Sequence, residues 1–150
     1  MATVRYFILA NLLSLIAGAQ ITETLELPDL VEEASGVIIT PDDFLYIIND
    51  SGNEPRLFEF TFPELSYQGS YYIDVRNRDW ETITQDRMGN VYICDIGDNQ
   101  NQYYHKTIYK FPRRALNHQF DTIFPIEYVV NFPENPRLDH QLDFDWESAV

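Results

Sequence analysis

The sequence predicts an all-β chain assembled from a repeated four-stranded unit, and three observations carry that prediction. The chain is 45% hydrophobic and 15% aromatic, with ten Tyr, ten Phe and many Val, Ile and Thr, a composition that favours pleated, half-buried strands. A pattern beginning near Glu33 returns near Asp79 and opens again at Asp145. Between apolar runs stand turn residues rather than helix caps, as at Thr40-Pro41-Asp42-Asp43 and Asp86-Arg87-Met88-Gly89-Asn90.

The chain opens with the pattern of a secretory signal peptide over residues 1–19. Arg5 supplies the charge, Tyr6 to Ile16 form an apolar run broken at Asn11 and Ser14, and Ala17-Gly18-Ala19 is a small-residue cleavage site before Gln20. A run of about 11 residues is short of the roughly 20 that a spanning helix needs. A secreted protein with no membrane span after cleavage is therefore expected, a retained anchor being the competing reading. The stretch from Leu27 to Glu33 contains Pro28 and is too short for an established helix.

The first unit starts with the strand Glu33-Ala34-Ser35-Gly36-Val37-Ile38 and turns at Pro41, which presets φ for a type I turn. A second strand, Phe44 to Ile48, reaches Asn49-Asp50-Ser51-Gly52-Asn53; a third, Arg56 to Phe60, precedes Pro63; Gly69 to Asp74 reads as a fourth. The second unit repeats the plan: Asp79-Trp80-Glu81-Thr82-Ile83, the turn at Gly89-Asn90, Val91-Tyr92-Ile93-Cys94, then Asp95-Ile96-Gly97-Asp98-Asn99. The polar insertion from Asn99 to His105, with Tyr103 and Tyr104, reads as an exposed loop before Thr107 to Phe111. Arg113 to Phe120 holds one helical turn at most, and Pro125 to Val130 gives the last strand. Glu33 and Glu81 are 48 positions apart, Tyr46 and Tyr92 are 46 apart, and so are Asn53 and Asn99.

Four antiparallel strands in each stretch of about 45 to 65 residues suit a β-propeller blade. The expected blades span about 33–76 and 79–132, with a third starting at 145 where Asp145-Trp146-Glu147-Ser148 repeats the earlier opening. Two blades do not close a ring and leave strand edges open. The sequence is thus expected to be the N-terminal part of a longer propeller, with three or four further blades.

The formal charge is −14, from 24 acidic and 10 basic side chains. That field repels a phosphate backbone and concentrates cations, which argues against nucleic acid and for hard metals or cationic ligands; acidity also serves solubility alone. Cys94 is the sole cysteine, so no disulfide forms within the chain and the thiol is expected as a small buried hydrophobe.

Carboxylates recur at two places in the unit: its opening, with Glu33, Asp79, Glu81, Asp145 and Glu147, and the end of its second strand, with Asp50, Asp95 and Asp98 beside Asn49 and Asn99. Equivalent positions of successive blades surround one axis, so these oxygens are expected to converge. A hard cation such as calcium takes about six to eight such ligands. The competing reading makes them structural acceptors for backbone N–H groups. No EF-hand loop is present, so any calcium site is assembled between blades. Trp80 and Trp146 are expected to pack blade against blade.

Catalytic motifs with a nucleophile elbow, a zinc-binding His pair, a phosphate loop or a dinucleotide fingerprint are absent. His105, His118 and His140 are far apart in polar surroundings and read as surface residues. Asn49-Asp50-Ser51 fits a glycosylation acceptor within the repeated loop.

On Ala34-Ser35-Gly36, Asn49-Asp50-Ser51-Gly52, Asp79-Trp80-Glu81, Asp95-Ile96-Gly97-Asp98-Asn99 and Asp145-Trp146-Glu147-Ser148, the chain resembles a group of secreted propeller proteins. It is distantly similar to the six-bladed calcium-dependent lactonase and phosphotriesterase superfamily that includes gluconolactonase and the senescence marker protein. The resemblance implies six blades and a calcium ligand at the start of the first, where Glu33 stands; that family's other Asn and Asp ligands lie in later blades. Two functions are expected: a scaffold binding calcium, a small ligand or an extracellular protein, and alternatively a calcium-dependent hydrolase of lactones or phosphate esters.

Overall fold

The computed structural model describes residues 26–98, 100, 102–103 and 105–131. The expected signal segment, Asn99, Tyr104, His140 and the third opening with Asp145, Trp146 and Glu147 lie outside the described residues.

The described chain is all-β. Its strands are β1 (Ala34–Ile39), β2 (Phe44–Asn49), β3 (Arg56–Thr61), β4 (Tyr67–Ile73), β5 (Trp80–Gln85), β6 (Asn90–Asp95), β7 (His105–Pro112), β8 (Thr122–Ile123) and β9 (Ile126–Asn131). Among the described residues, helical structure is confined to single 3-10 turns at Asp29–Val31 and Arg113–Ala115. One sheet has the order β1-β2-β3-β4-β8 and the other β5-β6-β7-β9. No described helix is long and apolar enough to cross a membrane.

Corresponding turns start both sheets. The Asp43 N–H donates to the Thr40 carbonyl at 3.1 Å, and the Gly89 N–H to the Asp86 carbonyl at 3.1 Å. The residue closing each turn is left-handed, with φ 60° at Asp43 and 77° at Gly89, the form of a three-residue hairpin loop. In the first sheet Ala34 pairs Asn49 and Gly36 pairs Ile48; in the second Trp80 pairs Asp95 and Thr82 pairs Cys94. Ser35 and Glu81 are thus the extra residues of matching bulges. This register sets Glu33 beside Asp79 in equivalence, rather than Glu81, because the pairing partners Asn49 and Asp95 correspond.

The alternation of strand side chains builds the packing. Tyr46 and Ile48 of β2 face the second sheet, joining Leu57, Tyr71 and Ile73; they meet Trp80, Ile83, Val91, Ile93, Tyr109 and Phe111 in one buried cluster. Each large side chain so buried contributes about 1.5–3 kcal/mol. Leu45 and Ile47 point the other way and pack with Val31 and Phe60. The sheets meet closely at β1 and β5 because Gly36 has no side chain: a Cβ there would lie 2.9 Å from the Ile83 nitrogen and 3.1 Å from the Thr82 Cα. Trp80 is wholly buried between the sheets and Cys94 is buried in β6, as expected. Burial pushes the Cys94 thiol up to about 11.

One element departs from the sequence reading. Thr122 and Ile123, placed by sequence in the second unit, leave it and pair in parallel with Tyr72 and Ile73 at the edge of the first sheet. Ile123 supplies the reason, since it buries itself in the cluster between the sheets.

Candidate metal centre

Asp50 follows the last residue of β2, Asp79 precedes β5, and Glu81 is the bulged residue inside β5. One carboxylate oxygen from each lies within 4.8 Å of the others, all three residues being half-buried. Side chains two positions apart in extended chain share a face, which sets the Asp79 and Glu81 carboxylates on the same side with Trp80 between them pointing into the core. Like charges at this spacing repel by about 3 kcal/mol per pair at an effective dielectric of about 20.

The backbone holds the group in place. The side-chain amide of Asn77 donates to the carbonyls of Asn49 (3.2 Å) and Asp50 (2.8 Å), while its Oδ1 accepts from the Trp80 N–H at 3.2 Å. Asn77 therefore ties the end of β2 to the start of β5. The Ile96 and Gly97 N–H groups both donate to the Asp79 carbonyl, at 3.1 and 3.2 Å, and the Asp79 N–H donates to Asp95 Oδ1 at 2.9 Å. Gly97 is pressed against the carboxylates: a Cβ on it would stand 2.6 Å from Asp79 Oδ2 and overlap Glu81 Oε1. Asn49 Oδ1, buried at the same end of β2, accepts no hydrogen bond among the described residues.

The remaining expected ligands stand apart from this trio. Glu33 is exposed, and its Oε2 accepts from Asn53 Nδ2 at 2.6 Å; its carbonyl receives the Asp50 N–H at 2.8 Å. Asp95 is buried and committed to structure, its Oδ2 receiving Arg78 Nε at 3.0 Å and the Tyr109 hydroxyl at 3.3 Å. Burial, aided by the Asp95 charge, raises the Tyr109 phenol. Asp98 is buried in the loop after β6, accepting the Gln102 N–H at 2.6 Å and the Tyr103 N–H at 2.9 Å, with Lys106 Nζ 4.0 Å away. Asp145 and Glu147 are outside the described residues.

Beside the trio is a cavity of about 230 Å³ lined by Ser51, Arg78, Asp79, Asp98, Gln102 and Tyr103. Arg78 stacks 4.8 Å from the Tyr103 ring centre and donates to Thr107 Oγ1 at 2.9 Å. Sequence reasoning passed over Asn77, Arg78 and Gly97 as site-building residues. Gly97 lies within Asp95-Ile96-Gly97-Asp98-Asn99, whereas the segment Arg76-Asn77-Arg78 carries no pattern that marks it.

Comparison with known proteins returns no matching family model, and neither a curated protein nor a solved structure matches the chain.

Proposed function

We propose that this chain forms successive blades of a secreted, acidic β-propeller that holds a calcium ion between blades and serves as a binding scaffold. The observation that carries the metal reading is the convergence of Asp50, Asp79 and Glu81 from two sheets to within 4.8 Å. Oxygens sharing a cation at about 2.3–2.6 Å lie no more than about 5 Å apart, so the spacing fits, and an all-oxygen donor set suits a hard ion. Calcium would offset the mutual repulsion of the trio, and the absence of a side chain at Gly97 lets the Asp79 and Glu81 carboxylates lie together.

The propeller reading is supported by the direction of stacking. The Tyr46/Ile48 face of the first sheet packs on the Val91/Ile93 face of the second, so each sheet presents one kind of face forward and the other backward. Such head-to-tail contact propagates, and closes into a ring where the rotation allows. The matching bulges and turns support a repeated module.

Calorimetric titration of the full chain with calcium tests the site. Glu81→Gln and Asp79→Asn are each expected to weaken binding at least tenfold; unchanged affinity in both variants removes the metal reading. A second reading, metal-assisted hydrolysis of a lactone or phosphate ester, draws on the cavity adjoining Asp79. Turnover of such esters that a chelator abolishes would favour it, and no turnover in the calcium-loaded chain leaves the scaffold.

A further inference from the structure

At the other end of β2, about 20 Å from Asp50 at roughly 3.3 Å per residue, lies a second cleft that the acidic trio does not touch. It has a volume of about 250 Å³ and is lined by Phe44, Tyr46, Glu59, Arg114, Leu116 and His118, with the Asp42–Arg113 ion pair at its rim. At its base Glu59 is 2% exposed. Glu59 Oε1 binds His118 Nε2 at 2.7 Å, and Oε2 receives the hydroxyls of Tyr46 at 2.7 Å and Tyr71 at 3.2 Å.

Several independent features meet here. His118 reaches the carboxylate from a left-handed backbone, φ 54°, a conformation that costs energy outside glycine and concentrates at functional sites. The ladder between β3 and β4 is irregular beside Glu59, where Glu59 pairs Gly69 but Phe60 pairs Tyr67. Arg113 and Arg114 are the chain's one consecutive pair of Lys or Arg residues, in a protein of net charge −14. Arg113 is taken by Asp42, and Glu59 by His118 and two phenols, whereas Arg114 is exposed and enters no ion pair with a described residue.

We propose that this cleft binds a small organic monocarboxylate, its anionic head paired with Arg114 and its apolar body against Phe44 and Leu116. One uncommitted guanidinium balances one negative charge, and its planar fork matches a carboxylate. A phosphate dianion would bring a charge that no second free cation among the described lining residues meets. The volume suits a molecule of a few carbon atoms rather than a polymer. The Glu59 network holds the His118 wall fixed, so the cleft is formed before the ligand arrives, which reduces the ordering cost of binding.

The test is a nuclear magnetic resonance titration of the full chain with benzoate and with benzamide, a neutral molecule of nearly the same shape. Benzoate is expected to shift the His118 and Tyr46 resonances saturably and to bind at least tenfold more tightly than benzamide. Arg114→Gln, which alters an exposed side chain and should melt like the wild type, is expected to bring benzoate down to benzamide's affinity. Glu81→Gln is expected to leave benzoate binding unchanged, so failure of the metal reading and failure of this one are separable. Equal affinities for the two probes, an Arg114→Gln variant that binds benzoate as before, or shifts that avoid His118 would each overturn the proposal.

Discussion

Asp95 and Gly97 stand two positions apart after β6 and do opposite work. Asp95 is 1% exposed and paired with Arg78, and removing one partner of a buried pair leaves an uncompensated charge. Asp95→Asn is therefore expected to cost about 3 kcal/mol in urea unfolding while leaving the trio's own carboxylates in place. Gly97→Ala should do the reverse. Its methyl group would displace Asp79 and Glu81, and calcium affinity by calorimetry is expected to fall at least tenfold with a much smaller change in unfolding. Asp86 sets a pH dependence. Hydrogen bonds from the Asn90 side chain and backbone, then from the Tyr92 hydroxyl and Met88 N–H, hold its carboxyl down to about 2. A depressed folded value gives stability that is present above the unfolded value near 4 and lost as pH falls toward 2. The urea midpoint should drop across that window, and Asp86→Asn should flatten Asp86's share of the drop.

Strands and turns follow local rules more closely than sheet edges do. The Asp43 and Gly89 hairpins form where short polar loops separate apolar runs, and their strands carry the alternation expected of them. Close approach is the exception at this scale, since β1 can lie against β5 only where Gly36 leaves space. Gly36→Val is expected to destabilise by about 2 kcal/mol through overpacking, read as a lower denaturant midpoint. The two-residue β8 carries no alternation to recognise, yet Ile123 is 4% exposed within the inter-sheet cluster. Ile123→Ala should cost about 3 kcal/mol, more than its exposed neighbour Phe124→Ala, in the same measurement.

At the scale of the molecule, two sheets stacked in the same sense leave unlike faces outward. Val37 and Ile39 are 57% and 50% exposed on the first strand, and Ile126 and Tyr128 are exposed on the last. The proposed calcium site bridges the sheets at one end, so occupancy should resist their separation as well as local motion. Calcium at about 100 times its dissociation constant is expected to add about 2.7 kcal/mol to folding. Thermal melting with calcium and with a chelator checks this, and the increment should vanish in Asp79→Asn.

The order of residues alone carries the all-β class, the positions of the hairpins, the burial of Trp80 and Cys94, and the pool of carboxylates from which the trio is drawn. These depend on side-chain alternation and turn chemistry, which act over a few neighbouring residues. Tertiary structure decided which acids meet. Asp95 and Asp98 look equivalent to Asp79 as letters, but Asp95 pairs with Arg78 and Asp98 accepts from the backbone of Gln102 and Tyr103, while Asp79 and Glu81 meet Asp50 where the two sheets approach. It also decided that His118, a polar loop residue by sequence, reaches Glu59 some 59 positions away. Convergence of that kind depends on the packing distance between sheets, a quantity set by the whole set of buried contacts and carried by no short stretch of chain.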